Sequence, residues 1–255
     1  MIVHGYGCSW TEGEGCDSEI EKTLKNEELN LFRNSHSWVK NVADKLECGW
    51  VNNGISGNSN SSIFNKVIDD VIDGVIKQDD LIVIMWSSSL RDVVPFLPKN
   101  EWISWSIKHL INLPDKFVKS YKSENSKYDS FLSDYKTYFL SMMFNQNYYN
   151  IVNQNYIIFL QKLFKEYGVN NLMLDAFDKM VHHVQPTDDI THLINKKNYW
   201  QFDKSTMRDF LIASNTNCFE TLQTIDENPA QHPNSLGYNL ISEEIYNYII
   251  KNNII

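Results

Sequence analysis

The sequence predicts a three-layer α/β/α sandwich built on a flavodoxin-like parallel sheet. Three observations carry this. Segments of strand length alternate with segments of helical periodicity along the chain. The clearest strand segment, Leu81-Ile82-Val83-Ile84-Met85-Trp86, is an unbroken apolar run, as expected of a parallel strand buried on both faces. The first three strand segments each run into a turn of glycine, serine or asparagine.

Residues 2–7 read as the first strand, ending at Gly7, and the polar, acidic stretch 13–34 as a surface loop with some helix. Helical spacing from Ser37 to Leu46 predicts a helix on the sheet, and residues 50–53 a second strand closed by Gly54-Ile55-Ser56-Gly57. The next helix is expected from about Ser59 to Ile76, with Ile63, Val67, Val71 and Val75 on one face. The third strand, 81–86, follows. An aromatic-rich insertion at about 93–150 then interrupts the pattern; it holds Trp102, Trp105 and a stripe from Phe131 to Met142. A long helix runs through Ile157 to Phe164, breaks at Gly168 and leads to a fourth strand at 171–175. Residues 176–225 are irregular, with a short helical piece at 206–211. The last helix, about Ser235 to Ile250, buries Leu236, Leu240, Ile241, Ile245 and Ile249. The chain reads as one domain, 1–255, whose insertion forms a cap over the crevice.

Composition narrows the function. Hydrophobic residues at 42% and charged residues at 22% are ordinary for a globular chain. A net charge of -9 repels phosphate backbones and anionic lipid, so neither nucleic acid nor membrane is an expected partner. The N-terminus lacks a basic, apolar leader, and no apolar run nears the ~20 residues needed to span a bilayer. A soluble, cytoplasmic protein is expected. Cys8, Cys16, Cys48 and Cys218 lack CxxC spacing and are expected as free thiols. His182, His183 and His192 lack the tight spacing of metal ligands, so no metal or other cofactor is expected.

In an open parallel sheet, ligands bind beyond the carboxyl ends of the strands. Four segments converge there: Gly7-Cys8-Ser9, Gly54 to Asn60, Ser87-Ser88-Ser89 and the loop carrying His232. Acyl transfer needs such a set. A serine hydroxyl requires a base, and histidine suits that task. The carbonyl oxygen becomes an anion during attack, so N–H donors must already face it. Ser9 alone could be a helix N-cap, and the Gly54 to Asn60 turn a phosphate cradle. Arg91, beyond the serine run, reads as a surface ion pair with Asp92 or as an anchor for an anionic substrate group.

These segments resemble the SGNH (GDSL-type) hydrolase superfamily, in order and across nearly the whole chain. Gly7-Cys8-Ser9 resembles its first block, Asn53-Gly54-Ile55-Ser56-Gly57-Asn58 its second, and His232-Pro233-Asn234-Ser235-Leu236-Gly237-Tyr238 its last. The resemblance implies an SGNH-like fold and hydrolysis of ester bonds, acyl or acetyl, in a small ester or an acetylated carbohydrate. It implies Ser9 as nucleophile, His232 as base, and the N–H groups of Ser9 and Gly57 in the oxyanion hole. Ser88 takes the place of the third block's asparagine as a further donor. Pro229 stands where the family keeps an aspartate, which leaves Asp226 or Glu227 to support His232, or a Ser-His dyad. The alternatives are a catalytically degenerate binding protein on this fold and a binder of a phosphorylated ligand.

Overall fold

A computed structural model describes residues 1–89, 91–96, 101–106, 146–180, 190–214, 217–219 and 232–255; for 18, 19, 26, 92–96, 101–106 and 146 the main chain alone is described. The strands β1 (Ile2–Gly7), β2 (Gly49–Gly54), β3 (Leu81–Trp86) and β6 (Asn170–Asp175) form a parallel sheet in the order β2-β1-β3-β6. The predicted α/β sandwich is what the chain forms, and the order of its parallel strands is the 2-1-3-4 of flavodoxin-like sheets.

Strand alternation assigns each side chain to a layer. Val3, Leu81, Val83, Met85, Leu172 and Leu174 point to one face. There they meet Trp38, Val39 and Val42 of α4 (Trp38–Lys45) and Ile241, Ile245 and Ile249 of α8 (Ser235–Lys251). Tyr6, Ile82, Ile84, Trp86 and Met173 point to the other. They meet Ile63, Val67 and Val71 of α5 (Asn60–Ile72) and Ile157, Leu160 and Phe164 of α6 (Gln146–Tyr167). All six residues of β3 are buried, which explains why that strand reads as an unbroken apolar run. Opposite layers for α4 and α5 follow from right-handed crossovers: the chain leaves β1 toward β2, then returns past β1 to β3. The crevice between the carboxyl ends of β1 and β3 is therefore the switch point of the sheet.

Before α4 lie α1 (Ser9–Glu12), α2 (Ser18–Glu21) and α3 (Asn26–His36), so the expected loop over 13–34 is mostly helical. After β6 come two single 3-10 turns and α7 (Met207–Ser214). Tyr199 makes an isolated parallel bridge to Met173 that extends the sheet past β6.

Two expectations are corrected. α5 ends at Ile72, because Asp73 caps it and Gly74 turns left-handed at φ 69°; Val75 is exposed and Ile76 takes its place in the core. In α8, Leu236 is exposed, and Gly237 and Tyr238 face inward. A Cβ at Gly237 would lie 2.4 Å from Cys218 O, so the first turn of that helix is too close to its neighbour for a leucine. After β3 the chain forms an antiparallel hairpin of β4 (Arg91–Phe96) and β5 (Glu101–Ser106) separate from the main sheet. Trp102 and Trp105 lie on β5. Their side chains and the 131–142 stripe lie outside the described residues.

All four cysteines are free thiols. Among the described residues, no helix is long and apolar enough to cross a membrane.

Candidate active site

The first turn after β1 carries Ser9 into the switch-point crevice. Cys8 is extended (φ -101°, ψ -153°), and its carbonyl accepts from Thr11 N at 2.9 Å and Glu12 N at 3.0 Å. This short turn is held against β2. Asn52 Nδ2 donates to Thr11 O at 2.8 Å, and a Cβ at Gly54 would lie 2.2 Å from Glu12 N. Only glycine allows so close an approach of backbone to backbone. Ser9 is 7% exposed.

His232 reaches the same place from the other end of the chain. Asn234 caps α8 by accepting from Gly237 N at 3.0 Å, while its own N–H donates to Cys218 O at 2.9 Å. Phe219 and Pro233 form an antiparallel bridge, so the 217–219 segment braces the approach to the histidine. Across 223 positions, His232 Nε2 lies 3.1 Å from Ser9 Oγ. With the imidazole protonated on Nδ1, Nε2 is the acceptor and Ser9 the donor.

A carboxylate absent from the sequence reading joins this pair. Glu14 Oε2 lies 3.5 Å from the same His232 Nε2, on the serine side of the ring. It also accepts from Ser56 Oγ at 2.6 Å. Arg33 organises Glu14 with its neighbours. Its Nη2 lies 3.7 Å from Glu14 Oε1, and it donates to Glu12 Oε1 at 3.2 Å and to Glu21 Oε2 at 2.8 Å. Burial by itself pulls the Arg33 pKa down, but Glu21, Glu14 and Glu12 together raise it above its ordinary value. The sequence holds the signal only in part: Glu12 and Glu14 follow Ser9 closely, but no spacing shows that Arg33 gathers them. Asp226 and Glu227, the carboxylates expected behind His232, lie outside the described residues.

The turn after β2 hangs from β1. Ile55 N donates to Gly7 O at 3.2 Å, and Asn58 Nδ2 reaches the same carbonyl at 3.4 Å. Gly57 is left-handed at φ 77°, with open space where a side chain would stand. Neither Ser9 N–H nor Gly57 N–H meets an acceptor among the described residues.

Ser88 stands in the loop after β3. Its hydroxyl donates to Asp178 Oδ2 at 2.7 Å, so its single proton is held by a carboxylate. The asparagine beside it is Asn60, at the start of α5. Asn60 Oδ1 accepts from Ser87 N at 2.8 Å and its Nδ2 donates to Ser88 O at 3.1 Å. Both ends of that amide hold the loop after β3. Trp10, Phe177 and Phe219 form an aromatic wall beside Ser9, with centroid separations from Trp10 of 5.1 Å and 6.2 Å. His192 lies on an exposed 3-10 turn; His182 and His183 lie outside the described residues.

The fold and site together define an α/β protein with a Ser-His pair at the switch point of its sheet. No family model matches the chain, and no curated protein matches it. Among solved structures, it is similar to a protein from Desulfitobacterium hafniense DCB-2, provisionally described as lipolytic and of the G-D-S-L family. The match has 13% identity and a TM-score of 0.41, and it covers 100% of this chain and 99% of the other.

Proposed function

We propose that the chain is a serine hydrolase of the SGNH type that cleaves small acyl or acetyl esters, including acetylated carbohydrates. The observation that carries this reading is the 3.1 Å approach of Ser9 Oγ to His232 Nε2 at the switch point. Ser9 attacks the ester carbonyl as His232 Nε2 takes its proton. The N–H groups of Ser9 and Gly57 hold the oxyanion, and the Glu14 carboxylate stabilises the imidazolium. The imidazolium gives its proton to the departing alcohol, leaving an acyl-Ser9 ester. Water, deprotonated by the same histidine, then releases the acid and restores Ser9. The engaged Ser88 hydroxyl supports an oxyanion hole made of main-chain donors alone.

Labelling by a serine-reactive fluorophosphonate tests the reading, together with turnover of p-nitrophenyl acetate and butyrate. Wild-type protein is expected to be labelled at Ser9. Ser9→Ala and His232→Ala are each expected to lower kcat by roughly 10³-fold or more. A folded wild-type protein that is neither labelled nor active would instead be a binding protein on this fold.

A further inference from the structure

The crevice that holds Ser9 also holds a cation with no countercharge among the described residues. Arg91 begins β4, directly after the loop that ends β3, and its N–H donates to Ser88 O at 3.0 Å. Its side chain leans back over the crevice. Nη1 donates to Asn58 O at a long 3.4 Å, next to Gly57. The guanidinium carbon lies 5.9 Å from the centre of the Phe177 ring, which packs edge-on against Trp10 at 5.1 Å. Trp10 follows Ser9. The Arg91 guanidinium thus touches both the Asn58 turn and the ring that packs on Trp10.

Its electrostatic position is unusual for this molecule. The net charge is -9, yet among the described residues no carboxylate lies within ion-pair distance of Arg91. Among the described acids, Glu12, Glu14 and Glu21 are engaged by Arg33 and Asp178 by Ser88; the Asp92 side chain lies outside the described residues. Arg91 is half-buried, so it has lost part of its hydration, and among the described residues its side chain gains one weak hydrogen bond in return. A guanidinium has five N–H donors in a flat fork, and the edge formed by Nε and Nη2 meets no acceptor among the described residues. An incoming carboxylate fits that edge with two parallel hydrogen bonds. A dianionic phosphate fits the molecule less well, because it would enter beside Glu14 in a strongly acidic chain.

We propose that Arg91 selects an ester whose acyl part ends in a carboxylate, a half-ester of a short dicarboxylic acid. The methylene chain of that acid lies along Phe177, and the ester carbonyl meets Ser9. This rests on the hydrolase reading for the chemistry, but the anion site itself can be measured without turnover.

Two measurements separate the two ideas. The first is calorimetric binding of N-butylglutaramate and of neutral N-butylpentanamide to Ser9→Ala protein. The anionic amide is expected to bind about tenfold or more tightly than the neutral one, as a charge-assisted pair implies, and Arg91→Gln in the same background is expected to abolish the difference. The second is kcat/KM for p-nitrophenyl hemiglutarate and p-nitrophenyl pentanoate. Arg91→Gln is expected to lower the hemiglutarate-to-pentanoate ratio about tenfold or more, with Arg91→Lys in between. If Arg91→Gln slows both esters equally, Arg91 merely braces the Asn58 turn and the proposal is overturned. Equal binding of the two amides to Ser9→Ala protein also overturns it, even where esters turn over. Arg91-dependent preference for the anionic amide, with no ester turned over, supports the anion site and sinks the hydrolase reading.

Discussion

The Glu14 contact gives the Ser-His pair its most testable feature, because it lies on the serine side of the imidazole. A carboxylate 3.5 Å from Nε2 stabilises that nitrogen only while it carries a proton. Glu14→Gln keeps the shape and an oxygen for the Ser56 hydroxyl, but removes the charge. It is expected to lower kcat about tenfold and slow fluorophosphonate labelling in proportion, with KM little changed, as for a group felt mainly in the transition state. Ser88 provides the contrast. With its proton given to Asp178, Ser88→Ala is expected to leave kcat within about threefold of wild type. A serine donating to the oxyanion would instead cost about 10²–10³-fold on removal. Steady-state kinetics on one ester decides between these outcomes.

At the scale of elements, the fit of α1 on β2 governs where Ser9 stands. A Cβ at Gly54 would lie 2.2 Å from Glu12 N and 2.6 Å from Thr11 C. Backbone cannot rotate away as a side chain can, so α1 must move. Gly54→Ala is expected to cost about 2 kcal/mol or more and to lower kcat further than stability alone explains. Gly57→Ala meets nothing within 4 Å, so its cost is left-handed strain of about 1 kcal/mol, and its N–H remains. Urea denaturation and kinetics on the two variants separate these effects. The same elements show how much the sequence discloses. β3 is legible because a strand buried on both faces leaves an unbroken apolar run, and β1 and β2 because glycine marks their ends. The Ser9, Gly57 and His232 segments are legible because local turn chemistry writes them into short motifs. Glu14 is not legible, because its place depends on Arg33 folding back across the 13–34 stretch. Nor is the engagement of Ser88, because Asp178 lies 90 positions away. Val75 and Leu236 mislead for a simpler reason: both continue an apolar stripe past the point where capping or close approach ends it.

At the scale of the whole molecule, the far edge of the sheet carries a buried acid that makes stability depend on pH. Asp175 closes β6 and is 3% exposed. Its Oδ1 accepts from Tyr199 OH at 2.6 Å, on the segment that extends the sheet past β6. Desolvation dominates and pushes its pKa up to about 7, against the opposing pull of the Tyr199 hydroxyl and the Met180 N–H. In the unfolded chain the same carboxyl ionises near 3.8. Between those values the native state binds a proton that the unfolded state has released. The contribution of Asp175 to stability is therefore greatest at the acid end of that window, falls as pH rises from about 4 to about 7, and levels off above. Asp80, at the opposite end of the sheet, works in the other sense. Burial opposes its ionisation, but the N–H groups of Lys77 and Ile2 and the His4 ring hold its pKa below the usual value. Its stabilisation is present above pH 4 and lost below. Urea melts at pH 5, 6, 7 and 8 on wild type and Asp175→Asn isolate the Asp175 share, since other titrating groups cancel in the difference. The wild type is expected to lose stability across this range relative to the variant. Tyr199→Phe removes a hydrogen bond that favours the carboxylate, so it should carry the decline to higher pH; parallel curves for all three proteins would rule Asp175 out as its source.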